Sequence, residues 1–244
     1  MNTNGKKRWA SICLGIMCCL TICAAQIERK QLFNDGWRFA LGEVEGASEL
    51  EFDDASWREL TLPHDWSVES DFNEKESSGN DGGYVVTGIG WYRKSFHLPA
   101  SVQGKRMALY FEGVYMNSEV FVNGHSVGVR PYGYSSFMYD ITPYVKTGAE
   151  NVVAVRVDNS KQKNCRWYTG AGIYRHVWLL TTDALHIAHW GTFITTPEVN
   201  AEQAMVQVEV KIKNEAEALK NAIRELSTNT YTQKLSRVVN SQWA

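Results

Sequence analysis

Beyond its first 25 residues the sequence holds a single cysteine, Cys165. Cys13, Cys18, Cys19 and Cys23 all fall in that leading stretch, so the rest of the chain can close no internal disulfide and depends on core packing. Cys165 has no obvious partner base nearby in sequence and reads as a bystander. No His, Cys, Asp or Glu group has metal-ligand spacing, and the pair His186 and His189 reads as coincidence; no metal or other cofactor is expected. Charge of one sign is missing as well: 25 Lys plus Arg against 27 Asp plus Glu leave a net −2. That excludes the basic field of a nucleic-acid binder and the acidic run of a solvating tail. A second apolar run of spanning length is absent, so no membrane association is expected once the N-terminal stretch is removed. What the chain does have is aromatic surface. Nine tryptophans and 44% hydrophobic residues support a sizeable core, and aromatic faces also pack against the C–H face of a pyranose.

Residues 1–25 read as a secretory signal. Lys6-Lys7-Arg8 forms the positive region, Ala10 to Ile22 the short apolar region, and Cys23-Ala24-Ala25 the small residues before a cut ahead of Gln26. Neither Cys18, after Met17, nor Cys23, after Ile22, follows the small residue that a lipoprotein signal needs. The expected location is periplasmic or secreted.

From Gln26 short strands alternate with turns. Leu32 to Phe39 is a turn followed by alternating apolar residues, a first strand. Phe52-Asp53-Asp54-Ala55-Ser56-Trp57-Arg58 predicts a short helical turn capped by an aspartate. Thr61 to Trp66 predicts an extended edge, where Pro63 supplies no donor. Asp71 to Gly83 is polar and glycine-rich, a long loop, and strand character returns at Gly88 to Phe96. Met107 to Phe111 is a strand, and Glu119 to Gly128 a hairpin turning at Asn123-Gly124, a pair suited to a type I′ turn. Tyr139 to Val145 predicts one helical turn between sheets, and Asn151 to Asp158 a strand with Val153, Val155 and Val157 on its buried face. Together these predict an all-β fold, a jelly-roll β-sandwich over residues 26–183. Two more extended segments, Ala184 to Pro197 and Ala204 to Asn214, begin a second β domain over 184–214 that two strands cannot close. Residues 215–244 lose strand rhythm, and a truncated or frameshifted end is the expectation for this tail.

Several stretches in order carry a resemblance. They are Asn34 to Phe39, Leu62-Pro63-His64-Asp65-Trp66, Gly88 to Lys94, Phe111 to Val114, Val122-Asn123-Gly124, Asp158-Asn159-Ser160, Arg166 to Arg175, and His186 to Thr192. In this series the chain resembles the N-terminal part of a glycoside hydrolase family 2 enzyme of the β-galactosidase type. The resemblance implies a jelly-roll sugar-binding domain, then an immunoglobulin-like domain, here incomplete, then a (β/α)8 barrel that carries two catalytic glutamates. Retaining glycosidases need such carboxyls about 5–5.5 Å apart. This chain has no alternating βα pattern for a barrel, and Asn73-Glu74 and Asn214-Glu215 match the family's acid/base dipeptide only superficially. No catalytic residue is therefore expected here. Sodium or magnesium ligands, where family members have them, would lie largely in the barrel.

Arg166-Trp167-Tyr168-Thr169-Gly170-Ala171-Gly172-Ile173-Tyr174-Arg175 combines two glycines, three large aromatics and two arginines. By spacing alone it is either a bulged loop feeding a core strand or one wall of a sugar site. The resemblance implies that this stretch and the Gly79–Gly90 loop shape the subsite for the non-reducing sugar. The candidate substrate-binding residues are Asn80, Tyr84, Arg166, Trp167 and Tyr168. Family members carry an aspartate at the position that holds Arg166 here, so Arg166 meets a hydroxyl, an acidic substituent or an interdomain carboxylate instead. His64-Asp65 reads as a structural edge motif rather than an acid/base pair, because neighbours on an extended segment point to opposite faces. The expected partners are a carbohydrate (a β-galactoside or related glycoside), the downstream catalytic domain, and a further copy of the chain in a homo-oligomer. Two other readings stand beside the glycosidase fragment: a free carbohydrate-binding module, and a structural or dimerisation module with no sugar contact.

Overall fold

In the computed structural model, residues 28–216 and the backbone of 239–240 are described. The secretory signal expected at 1–25 and most of the 215–244 tail lie outside the described residues. The strands, in chain order, are β1 (Lys30–Leu32), β2 (Trp37–Leu41), β3 (Arg58–Leu60), β4 (Ile89–Leu98), β5 (Arg106–Phe111), β6 (Ser118–Val122), β7 (His125–Arg130), β8 (Phe137–Asp140), β9 (Ala149–Asp158), β10 (Val177–Thr182), β11 (Leu185–Val199), β12 (Ala204–Asn214) and β13 (Val239–Asn240). A six-stranded antiparallel sheet, ordered β3-β2-β4-β9-β6-β7, faces a four-stranded antiparallel sheet, ordered β1-β10-β5-β8. The fold is an all-β sandwich.

Its core forms as the period of two requires. Val153, Val155 and Val157 of β9 are fully buried and share one cluster with Tyr92 and Phe96 of β4 and with Leu109, Phe111 and Val177 of the opposite sheet. Burying each such valine stabilises the fold by about 1.5–3 kcal/mol. An exposed ion pair such as Lys105–Asp183, 2.6 Å apart, adds at most about 1 kcal/mol, so the inward faces fix the register. The hairpin between β6 and β7 turns at Asn123 and Gly124 with φ of 50° and 83°, as the Asn-Gly pair predicts. The helical turn predicted after Tyr139 is present at Ile141–Val145, where Tyr144 N donates to Ile141 O at 3.0 Å.

Two local expectations are corrected. The helical turn predicted at 52–58 is cut to a single turn, in which Trp57 N donates to Asp54 O at 2.9 Å. Asp53 Oδ1 accepts from Ala55 N at 3.0 Å in a side-chain turn, and Arg58 already pairs with Phe39 in β3. The same short acidic side chain that caps a helix also closes this turn. The loop at Asp71–Gly83 contains one turn of helix at Gly79–Gly82, ended by Gly83 in the left-handed region.

The outer face of β4 is covered too. Residues 42–57 fold over it, packing Ala47, Val44 and Trp57 on Trp91. Arg93, 1% exposed, reaches Asp54 Oδ2 at 2.9 Å and the carbonyls of Ala47 and Glu49 at 2.5 and 2.9 Å. β11 and β12 leave the sandwich as a long hairpin, and two residues of β13 add a parallel pairing to β12.

Candidate functional site

The site is built where Leu62–Trp66 crosses beneath Arg166–Arg175. His64 is buried, and its Nδ1 lies 2.7 Å from the Tyr92 hydroxyl. Arg58 Nη2 donates to both His64 Nε2 at 2.8 Å and Glu69 Oε2 at 2.5 Å. Burial holds the His64 imidazole below the usual histidine range, with Glu69 opposing that effect. Arg58 holds the Glu69 carboxylate below its ordinary value, against a smaller contribution from burial.

Asp65 points the other way, onto the loop. Its Oδ1 accepts from Ala171 N at 2.9 Å and Ser67 N at 3.0 Å, and its Oδ2 accepts from the Tyr168 hydroxyl. Burial raises the Asp65 pKa, opposed by those three donors, and burial together with Asp65 raises that of Tyr168. The opposite orientations of His64 and Asp65 leave them no shared proton to exchange, and both serve structure. Gly172 makes the close crossing feasible. Its φ is +106°, and a β-carbon there would meet the Tyr92 hydroxyl, with His64 O only 2.9 Å away. Gly172 also exchanges two 2.9 Å backbone hydrogen bonds with Tyr115, and Ile173 O accepts from His64 N at 2.9 Å. Asn159 Nδ2 donates to Gly170 O at 3.0 Å, which ties the loop to the end of β9.

With its base pinned, the loop turns Trp167 outward, 64% exposed, beside exposed Arg166. Arg166 has no ion pair or hydrogen bond among the described residues. Tyr168 is half-exposed, with its hydroxyl committed to Asp65. Asn80 is brought to this region by Lys163, whose Nζ lies 3.3 Å from Asn80 Oδ1 and 3.4 Å from Asp81 Oδ2. Tyr84, at φ +56°, closes the one-turn helix through its backbone N–H to Gly79 O at 2.9 Å. Arg166, Trp167 and Tyr168 therefore share one loop and Asn80 approaches it, while the backbone of Tyr84 shapes the neighbouring turn.

Tyr132 and Tyr134, which the sequence motifs did not single out, lie alongside with Tyr115 and Tyr174. Tyr115 and Tyr134 have ring centroids 5.1 Å apart, Tyr132 and Tyr134 5.8 Å, and the Tyr174 hydroxyl donates to Gly133 O at 2.7 Å. Tyr132 and Tyr134 are both more than half exposed. Burial of the hydroxyl, then neighbouring Tyr115, pushes Tyr134 up to about 12, while Trp167 lowers it, so Tyr134 is a neutral donor at ordinary pH. The signal for this group was Tyr132-Gly133-Tyr134, two aromatics around a glycine in a turn between strands. Aromatic faces flanked by amide, ammonium and guanidinium groups can hold a flat apolar sugar face and its hydroxyls.

Comparison with known proteins agrees with this architecture. The family described as "Glycosyl hydrolases family 2, sugar binding domain" matches residues 30–183. Beta-galactosidase BoGH2A of Bacteroides ovatus is 51% identical over 189 residues, covering 78% of this chain and 22% of that protein. A putative beta-glucuronidase of Formosa agariphila is 39% identical over 241 residues, 96% of this chain and 23% of that protein. A beta-glycosidase structure from Bacteroides vulgatus superposes with a TM-score of 0.74 at 41% identity, covering 78% of this chain and 25% of that one. The chain thus spans less than a quarter of the length of these two curated relatives. On its sequence, its sandwich and these matches, the chain belongs to glycoside hydrolase family 2, through that family's sugar-binding domain.

Proposed function

We propose that this chain is the exported N-terminal part of a β-galactosidase-like glycoside hydrolase acting on O-glycosidic bonds, and that it forms a wall of the sugar site without performing the chemistry. The observation that carries this reading is Asp65 bonded to Ala171, Ser67 and Tyr168, which pins the base of the loop that presents exposed Trp167 beside Tyr134. Trp167, with Asn80 and Arg166 beside it, contacts the non-reducing sugar; Tyr168 supports the wall from beneath, and Tyr84 shapes its edge. The two catalytic carboxyls belong to a (β/α)8 barrel downstream, residues 184–214 begin an intervening β domain, and residues 1–25 direct export. Relatives named as β-galactosidase and β-glucuronidase support the glycoside class.

Calorimetry of the full chain with methyl β-galactoside tests the reading. Millimolar or tighter binding is expected, weakened about tenfold or more by Trp167→Ala, which is about 1.4 kcal/mol. Absence of binding would overturn it. Hydrolysis of a chromogenic galactoside by the purified chain would overturn the claim that the chemistry lies elsewhere.

A further inference from the structure

A cleft that includes Arg175, the last residue of the Arg166–Arg175 loop, lies where the outer face of β5 meets the start of β11. Its volume is about 540 Å³, and its lining includes Lys30, Tyr110, Glu112, Arg175, His189 and Trp190. A second cavity of about 330 Å³ shares Lys30, His189 and Trp190 with it. Both fall within the roughly 300–1,000 Å³ typical of small-molecule sites.

The backbone is shaped to place these groups. Register between β11 and β12 breaks between Ile187 and Thr192, so the intervening residues bulge out of the ladder. Gly191 makes the bulge tight, since a β-carbon there would come within 2.8 Å of Ala188 O and 2.9 Å of Lys211 O. Trp190 sits on the bulge at φ +54°, a conformation that a bulky side chain seldom adopts, and is 81% exposed. An indole held in an unfavourable backbone state and left in solvent is a cost the sandwich itself does not need.

Polar groups line the same cleft. His189 packs on Tyr110 with ring centroids 4.5 Å apart, and its Nε2 is buried without a hydrogen-bond partner. Such an atom is destabilising unless something bonds to it. Lys30 Nζ lies 3.9 Å from the Trp178 ring centroid and forms no ion pair among the described residues. Glu112 is already engaged, accepting from Trp178 Nε1 at 2.8 Å and lying 3.8 Å from Arg175 Nε. Lys30 and Arg175 against Glu112 leave the cleft one positive charge in excess.

We propose that this cleft is a second sugar subsite, for a pyranose that carries a carboxylate. Trp190 stacks on the sugar ring, Lys30 and Arg175 face the carboxylate, and His189 Nε2 meets a hydroxyl. The inference rests on the reading that the chain binds carbohydrate, but it uses residues separate from Trp167. Tyr134 lines the cleft and also packs on Tyr115, so the two walls are contiguous.

The test is an NMR titration of the full chain with D-glucuronate and, in parallel, D-glucose. Trp190→Gly removes the ring where the backbone favours glycine, so the variant is expected to fold at least as stably as the parent. Glucuronate is expected to move an indole N–H signal that is missing from Trp190→Gly. Its affinity should fall about tenfold in that variant, and glucose should bind about tenfold more weakly than glucuronate in the parent, a preference that Lys30→Met reduces. Equal affinity for the two sugars, unchanged glucuronate binding in Trp190→Gly, or no glucuronate binding would overturn the proposal. Trp167→Ala separates the two sites. Glucuronate binding that survives in that variant supports the second subsite, while loss there with retention in Trp190→Gly overturns it and leaves the first wall standing.

Discussion

Asp65 and His64 are adjacent in sequence and pull the stability of the sandwich in opposite directions with pH. Burial lowers the His64 pKa, so below about 6.5 the unfolded chain takes up a proton more readily than the folded one. His64 therefore contributes stability that is full above that range and is lost as pH falls. Glu69, also lowered, contributes stability present above its ordinary 4.5 and lost as pH falls through its folded value. Asp65 is raised, so its contribution is present below 3.8 and is lost as pH rises through its folded value. Thermal melts of His64→Gln between pH 7 and 5 should show a flatter loss of stability than the parent. Some slope should remain, because burial also lowers His189. An unchanged slope would remove His64 from this role. Asp65→Ala leaves two backbone N–H groups and the Tyr168 hydroxyl without their acceptor, and should cost about 1–3 kcal/mol in urea unfolding.

At the scale of elements, the strands were legible wherever one face is buried by neighbours in the sandwich. Val153, Val155 and Val157 and the Asn123-Gly124 turn read correctly because period and turn chemistry are local. Arg93 was not legible. Alternation along β4 puts it on the outward face, and only the folding-over of residues 42–57, far away in sequence, buries it. The predicted helical turn at 52–58 stops after one turn for a related reason, since pairing of Arg58–Leu60 with β2 ends it. Arg93→Ala leaves Asp54 with only Arg38, 3.5 Å away, and frees three carbonyls, and should cost about 3–5 kcal/mol in denaturant unfolding, in line with removing one partner of a buried pair. A loss below about 1 kcal/mol would mean that the covering segment is held by Trp91 packing and by the Arg38 and Arg156 contacts without Arg93. Within the site, the Arg166–Arg175 loop stood out in sequence because glycine, arginine and aromatic residues coincide there. Asp65 was legible only as a motif member, because two of its three donors, Ala171 N and the Tyr168 hydroxyl, come from a loop far away in sequence.

For the molecule as a whole, the hairpin of β11 and β12 is the part that leaves large apolar side chains exposed. Phe193, Ile194, Val199, Met205 and Val206 are all more than half exposed. Two such strands cannot bury a core between them. Self-association through this hairpin is the expected behaviour of the chain in isolation, and sedimentation velocity should show Phe193→Lys with Ile194→Lys shifting it toward monomer. A parent that stays monomeric at high concentration would contradict this. The sandwich, by contrast, buries its own core, and its role in sugar recognition is the central claim. It is tested most directly by following the tryptophan indole signals of the full chain as methyl β-galactoside is added. The account predicts that the Trp167 signal moves while that of buried Trp37 does not, and that Trp167→Ala abolishes the response; an unmoved Trp167 signal at saturating sugar would contradict it.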